Sequence, residues 1–181
     1  DAANPGGPTL DIVIAGDVDL ATARKLAEKW FGEVPRSEPV EPPAPRPVVL
    51  KEEQRLLLED KVELPRLYLV WPTPPIYTPA DTALDATAGI LATGKNSRLY
   101  RKLVYELQVA QDVWAYQQSA ALGSTFNIVV TARAGQSLEK IRALVDEEVA
   151  RLSSELPTPR EVERFRNQLE ASTFARLERI G

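Results

Sequence analysis

The stretch Gly94 to Gly135, GKNSRLYRKLVYELQVAQDVWAYQQSAALGSTFNIVVTARAG, decides the fold class. Its first part, SRLYRKLVYELQ, places Leu99, Leu103 and Leu107 at helical spacing. That predicts a helix with one apolar side, opened by Asn96 or Ser97 as N-cap. The pattern then changes. VWAYQQSAALGS and TFNIVVTARAG are rich in β-branched and aromatic residues and flank Leu122-Gly123-Ser124, which predicts two antiparallel strands around a turn. A helix feeding a local strand pair points to an α+β chain rather than to alternating βαβ units.

The flanking segments extend the same pattern. Upstream, Leu67 to Trp71 predicts a strand buried on at least one face, stopped by Pro72-Thr73-Pro74-Pro75, and PVVLKEE and RLLLEDKVEL before it also read as strands. Asp81 or Thr78 opens a helix through Leu84, Ala88 and Leu91. Residues 1–8 read as a linker, Thr9 to Val18 as a short buried strand around Ile12-Val13-Ile14, and Asp19 as the N-cap of a helix with Leu20, Ala23, Leu26 and Trp30 on its apolar side. Gly32 is its expected C-cap. Pro35, Pro39, Pro42, Pro43, Pro45 and Pro47 make residues 35–47 an extended surface connector; Pro39, Pro42 and Pro45 also match the spacing of an SH3 ligand, but their place between ordered elements favours a passive role. Downstream, Ser137 caps a helix over 138–156, with Lys140 where a capping box would want Glu. Thr158-Pro159 opens the last helix. The expected architecture is an α+β fold: an antiparallel-rich mixed sheet with helices packed on one face, in a single domain spanning 9–181.

Composition removes many functions. Of 181 residues none is histidine, cysteine or methionine. Without imidazole or thiol the chain holds no Ser-His-Asp triad, no thiolate nucleophile and no His- or Cys-ligated zinc. The formal net charge of −4 gives no basic stripe for nucleic acid. No apolar run approaches the roughly 20 residues of a membrane-spanning helix. The absence of methionine, with Asp1 first, leads to the expectation that the chain is a piece or a processed product of a longer polypeptide.

Three motifs invite chemistry and none carries it. Gly89-Ile90-Leu91-Ala92-Thr93-Gly94-Lys95 has the spacing of a phosphate-binding loop, but Asn96 replaces the Mg²⁺-holding Ser or Thr and the stretch reads as a helix end, not a strand-to-helix turn. Glu52/Glu53, Glu59/Asp60 and Asp146/Glu147/Glu148 are sequence neighbours that do not share a face, so they read as solvated surface. Arg160, Glu161, Glu163, Arg164 and Arg166 likewise read as an exposed, salt-bridged helix face. Tyr68, Trp71, Trp114 and Tyr116 are expected in a core or an inter-domain surface. No catalytic, cofactor-binding or metal-ligating residue is assigned, and the substrate-binding residues are unknown.

Three blocks together resemble the second domain of pitrilysin/insulinase-type zinc peptidases: TLDIVIAGDVDLATARKLAEKWFGEVP, LPRLYLVWPTPP from Leu64 to Pro75, and the Gly94–Gly135 block with its SRL element. The resemblance runs from Thr9 to Ile180. It implies the mitochondrial processing peptidase/insulinase-like metallohydrolase fold and the role of a non-catalytic companion that helps enclose a peptide chamber. The zinc and its H-x-x-E-H ligands would then lie in a catalytic domain of the same polypeptide or of a partner subunit. The family's peptide-contacting Arg and Tyr fall on Val104 and Gln111, which do not match, and Arg98 of the SRL element reads as structural. The resemblance implies peptide substrates met at a sheet edge, and the bacterial periplasm, otherwise the cytoplasm, as compartment. An inactive peptidase homologue acting as scaffold or assembly partner is the alternative.

Overall fold

A computed structural model describes residues 12–34, 43–44 and 48–178. The chain divides into two compact units, Asp1–Ala44 and Pro45–Gly181.

In the first unit, α1 spans Leu20–Phe31. Asp19 caps it as expected, its carboxylate accepting the Thr22 N–H at 2.8 Å, and the Gly32 N–H closes the last turn on the Glu28 carbonyl at 2.9 Å. The predicted strand does not form over 12–18, where Ile12, Val13 and Ile14 are exposed and the chain bends at Gly16-Asp17. A β-branched run becomes a strand only when a neighbour completes its ladder, and none of the described residues of this unit does so. Thr9 to Asp11 and most of the 35–47 connector lie outside the described residues.

In the second unit, β1 (Arg66–Thr73), β2 (Ala110–Gln118) and β3 (Ser124–Ala132) form an antiparallel sheet in the order β1-β3-β2. β2 and β3 are the hairpin expected from the sequence. Register places Leu67/Val130/Val113 and Leu69/Ile128/Ala115 side by side. This face carries the core, with Val130 and Ile128 fully buried against Leu91, Leu99, Leu103, Ile141 and Val145 of the helical segments. The helices are α2 (Pro79–Ala92), a π-helical segment (Tyr100–Glu106), α3 (Leu138–Ser154) and α4 (Pro159–Leu177). Thr78, Ser137 and Thr158 cap as expected, each accepting a backbone N–H at the first turn, but the cap expected at Asn96 or Ser97 does not form: the Ser97 hydroxyl donates to the Gly94 carbonyl at 2.7 Å and the π-helical segment has no side-chain cap. Thr158 and Glu161 form a reciprocal capping box.

Two expectations are corrected here. Residues 48–64, read as strands, pair with no strand among the described residues, and Leu56, Leu57 and Leu58 are exposed. Three leucines in succession do not alternate, so they specify no face and no register. Leu107 is 47% exposed rather than aligned with the buried Leu99 and Leu103. The cause is the π winding: the Leu107 N–H reaches back to the Lys102 carbonyl at 2.9 Å, and the wider turn rotates Leu107 off the apolar side.

The phosphate-loop-like spacing has a packing explanation. Gly89 lies inside α2, where a Cβ would overlap the Phe165 ring of α4, and Gly94 leaves the helix at φ +79° beneath the Gln168 side chain. The next contact along α4 is the ion pair of Arg98 with Glu161, with the Arg98 Nε and one terminal nitrogen donating at 2.7 and 3.0 Å. Glu161, Phe165 and Gln168 thus dock one stripe of α4 on the G-x-x-x-x-G-K-N-S-R segment.

Candidate functional site

The feature of the second unit most suited to function is the outer edge of β1. The Ala132 N–H donates to the Pro65 carbonyl at 3.0 Å, which sets the parity of the ladder. Residues 67, 69 and 71 therefore turn their backbone groups to β3, and Arg66, Tyr68 and Val70 turn theirs outward. Pro72 is next in the outward set and has no N–H to offer, so the open ladder ends there. Among the described residues no strand pairs with this edge, and an open edge of this kind is a template for another strand.

Beside this edge runs a groove of about 1360 Å³, bounded on its far side by residues 53–63 and at one end by α3. One tether holds that far wall: the Arg142 guanidinium of α3 donates to both oxygens of Glu53, at 2.8 and 2.6 Å, and pulls the Glu53 carboxyl below its ordinary range. Arg142 also meets Asp146 at 3.3 Å. Glu59, Asp60, Glu63, Glu139 and Asp146 line the same groove with Glu53, against the guanidinium groups of Arg55, Arg66 and Arg142, so carboxylates outnumber cations there.

The polar groups elsewhere serve structure. Asp81, read only as a possible cap, is buried in the first turn of α2 and accepts from the Ser119 hydroxyl at 2.6 Å and the Gln117 amide at 3.0 Å, which hold its pKa down and pin the β2–β3 loop to α2. Asp85 one turn on is pushed up by burial, then by the charge of Asp81. Glu161 is drawn down to about 2, chiefly by the Arg98 hydrogen bond. Among the described residues no three His, Cys, Asp or Glu side chains converge to hold a metal ion, and no helix is long and apolar enough to cross a membrane.

The sequence matches the family model described as the peptidase M16 inactive domain over residues 6–169. The chain belongs to that family. Its fold is similar to that of a protease from Helicobacter pylori, with a TM-score of 0.72 at 21% identity over 91% of this chain and 40% of the other. It is similar to a peptidase M16 inactive domain from Pseudomonas fluorescens (TM-score 0.60, 20% identity, 87% of this chain and 38% of that one). It also resembles the inactive peptidase domain of a candidate zinc protease from Bordetella parapertussis (TM-score 0.56, 22% identity, 65% and 63%). The chain spans about two fifths of the Helicobacter and Pseudomonas chains. A search of curated proteins gives no match.

Several sequence readings of this M16 domain change. Glu148 is not solvated surface: it is 2% exposed and meets Arg151 at 2.6 Å. Glu161 leaves the expected exposed row for its pair with Arg98, and the Arg164 Nε and one terminal nitrogen are buried without partners among the described residues. Trp71 packs on Phe126 with ring centroids 6.1 Å apart, but Tyr68, Trp114 and Tyr116 stand exposed on the other face of the sheet. Val104 and Gln111, at the family's Arg and Tyr positions, lie apart in secondary structure: Val104 in the π-helical segment and Gln111 in β2. The open edge of β1 was missed as a named site. Its signal is the alternating Arg66-Leu67-Tyr68-Leu69-Val70 ending at Pro72, which marks a strand with one packed face but does not reveal which strand lies outermost.

Proposed function

We propose that this M16 inactive domain is the non-catalytic companion of a zinc metalloendopeptidase. It helps enclose the peptide chamber while zinc and its H-x-x-E-H motif lie in another domain of the same polypeptide or in a partner subunit. The observation that carries this reading is family membership joined to the complete lack of His and Cys. In this reading both compact units act as one companion domain, residues 9–181 with 35–47 as connector. The open β1 edge meets extended peptides, since main-chain hydrogen bonds give affinity that tolerates many sequences. The periplasm is the compartment that goes with it. An inactive homologue serving as scaffold is supported by one observation, Val104 and Gln111 in place of the peptide-contacting Arg and Tyr.

The test is the complete protein. Its zinc content and chelator-sensitive peptide hydrolysis are compared with those of the 181-residue chain. The proposal expects both in the complete protein and neither in the chain; zinc bound one-to-one by the chain alone would overturn it. A complete protein lacking H-x-x-E-H and inert toward peptides would establish the scaffold.

A further inference from the structure

The three residues whose backbone is open at the edge also begin an aromatic face. Register sets Tyr68 beside Val129 and Trp114, and Val70 beside Asn127 and Tyr116, on the side of the sheet away from the core. Val129 is 3% exposed and Asn127 is buried, although the core helices lie on the opposite face, while the side chains flanking them stand out to solvent. The Arg66 guanidinium reaches along the same face to lie 5.7 Å from the Trp114 ring centroid, which engages its charge.

On the reading that this edge takes up extended peptide, we propose that edge and face together select basic peptides with aromatic or large aliphatic side chains at alternate positions. A strand added to β1 would bond at Arg66, Tyr68 and Val70 and stop at Pro72, a footprint of the five residues 66–70. Every second side chain of that strand falls beside Tyr68 and Val70, while Trp114 and Tyr116 lie two strands further in on the same face. The remaining side chains fall toward the groove, where Glu139 on α3 and Glu59, Asp60 and Glu63 on the far wall, with Glu53 and Asp146, outnumber Arg55, Arg66 and Arg142. Lys or Arg at those positions meets opposite charge; Asp or Glu is repelled.

Fluorescence anisotropy tests this on the 181-residue chain and on the complete protein, using dye-labelled capped heptapeptides. One carries Phe or Tyr at alternate positions with Lys and Arg between. Its relatives replace the aromatics by Ser, replace the cations by Glu, or N-methylate alternate amides. The first peptide should bind, each replacement should weaken it about fivefold or more, and Tyr68→Ser, which removes the aromatic side chain directly beside the added strand, should weaken it about fivefold, the size of one cross-strand aromatic pair. The exposed α1 variant Arg24→Ala should leave binding unchanged. Glu63→Lys should reduce the preference for cationic peptides, a change that loss of folding would not produce. Equal binding of the aromatic, Ser and Glu peptides, blocked only by N-methylation, overturns the selectivity and leaves the edge reading standing. No binding of any peptide to the folded protein overturns the edge reading itself, and this proposal with it. Self-association abolished by Val70→Pro, without peptide binding, assigns the edge to a second copy and overturns the proposal.

Discussion

The ring of Phe165 occupies the space into which a side chain at position 89 would project, so Gly89 and Phe165 lock α4 onto α2. A glycine inside a helix costs about 1 kcal/mol relative to alanine. Here the cost is offset by close approach of the two helices. Gly89→Ala should therefore destabilise the chain by about 2 kcal/mol, the scale of overpacking, despite its better helix propensity. In urea unfolding, Phe165→Ala should make the added methyl nearly neutral; an equal penalty in both backgrounds would refute the contact.

One turn earlier on α4, Glu161 is bidentate with Arg98 and closes the Thr158 capping box. Side-chain exposures of 10% for Arg98 and 16% for Glu161 place the pair in the regime where removing one partner strands a charge. Arg98→Ala should cost about 3 kcal/mol. The Glu161 carboxyl titrates at about 2 in the fold against an ordinary 4.5. A depressed folded pKa stabilises fully above the unfolded value, and that contribution is lost as pH falls through the folded value. The stability gap between the parent chain and Glu161→Gln should thus be constant near neutrality and shrink from about pH 4.5 to about pH 2, as followed by denaturant midpoints.

The Glu53–Arg142 pair is of another kind. Glu53 is half-exposed, and exposed pairs contribute about 0–1 kcal/mol. Arg142→Ala should leave global stability almost unchanged yet release the far wall of the groove. Hydrogen exchange and limited proteolysis should then quicken over residues 53–63 and not over β3; protection unchanged in that segment would show that the pair is no tether.

Metal is the simplest check. The purified chain, dialysed against zinc and desalted, should carry far less than one equivalent by elemental analysis, because carboxylates alone make weak zinc sites.

Much of the helix and hairpin pattern in both units was legible in the sequence because its signals are local. The Asp19, Thr78, Ser137 and Thr158 caps each need only a side chain and a backbone N–H three residues away, and the β2–β3 hairpin joins neighbours in sequence. What misled were runs whose fate depends on distant partners. Ile12-Val13-Ile14 and Leu56-Leu57-Leu58 carry apolar content without a ladder, and Leu107 keeps helical spacing in a segment that winds as a π-helix. Glu148 and Glu161 looked like any charge on an amphipathic helix until packing set Arg151 and Arg98 beside them.

By itself the sequence determined what this protein cannot do with its own side chains, since the presence or absence of imidazole and thiol is independent of folding. It also determined the order of most helices and strands, because periodicity and capping act over a few residues. Only the tertiary structure decided that β1 is an outer strand, that Tyr68, Trp114 and Tyr116 share an open face, and that Gly89 exists for Phe165. Strand order and helix contact arise from residues far apart in the chain, which meet only when the apolar surface they share leaves water.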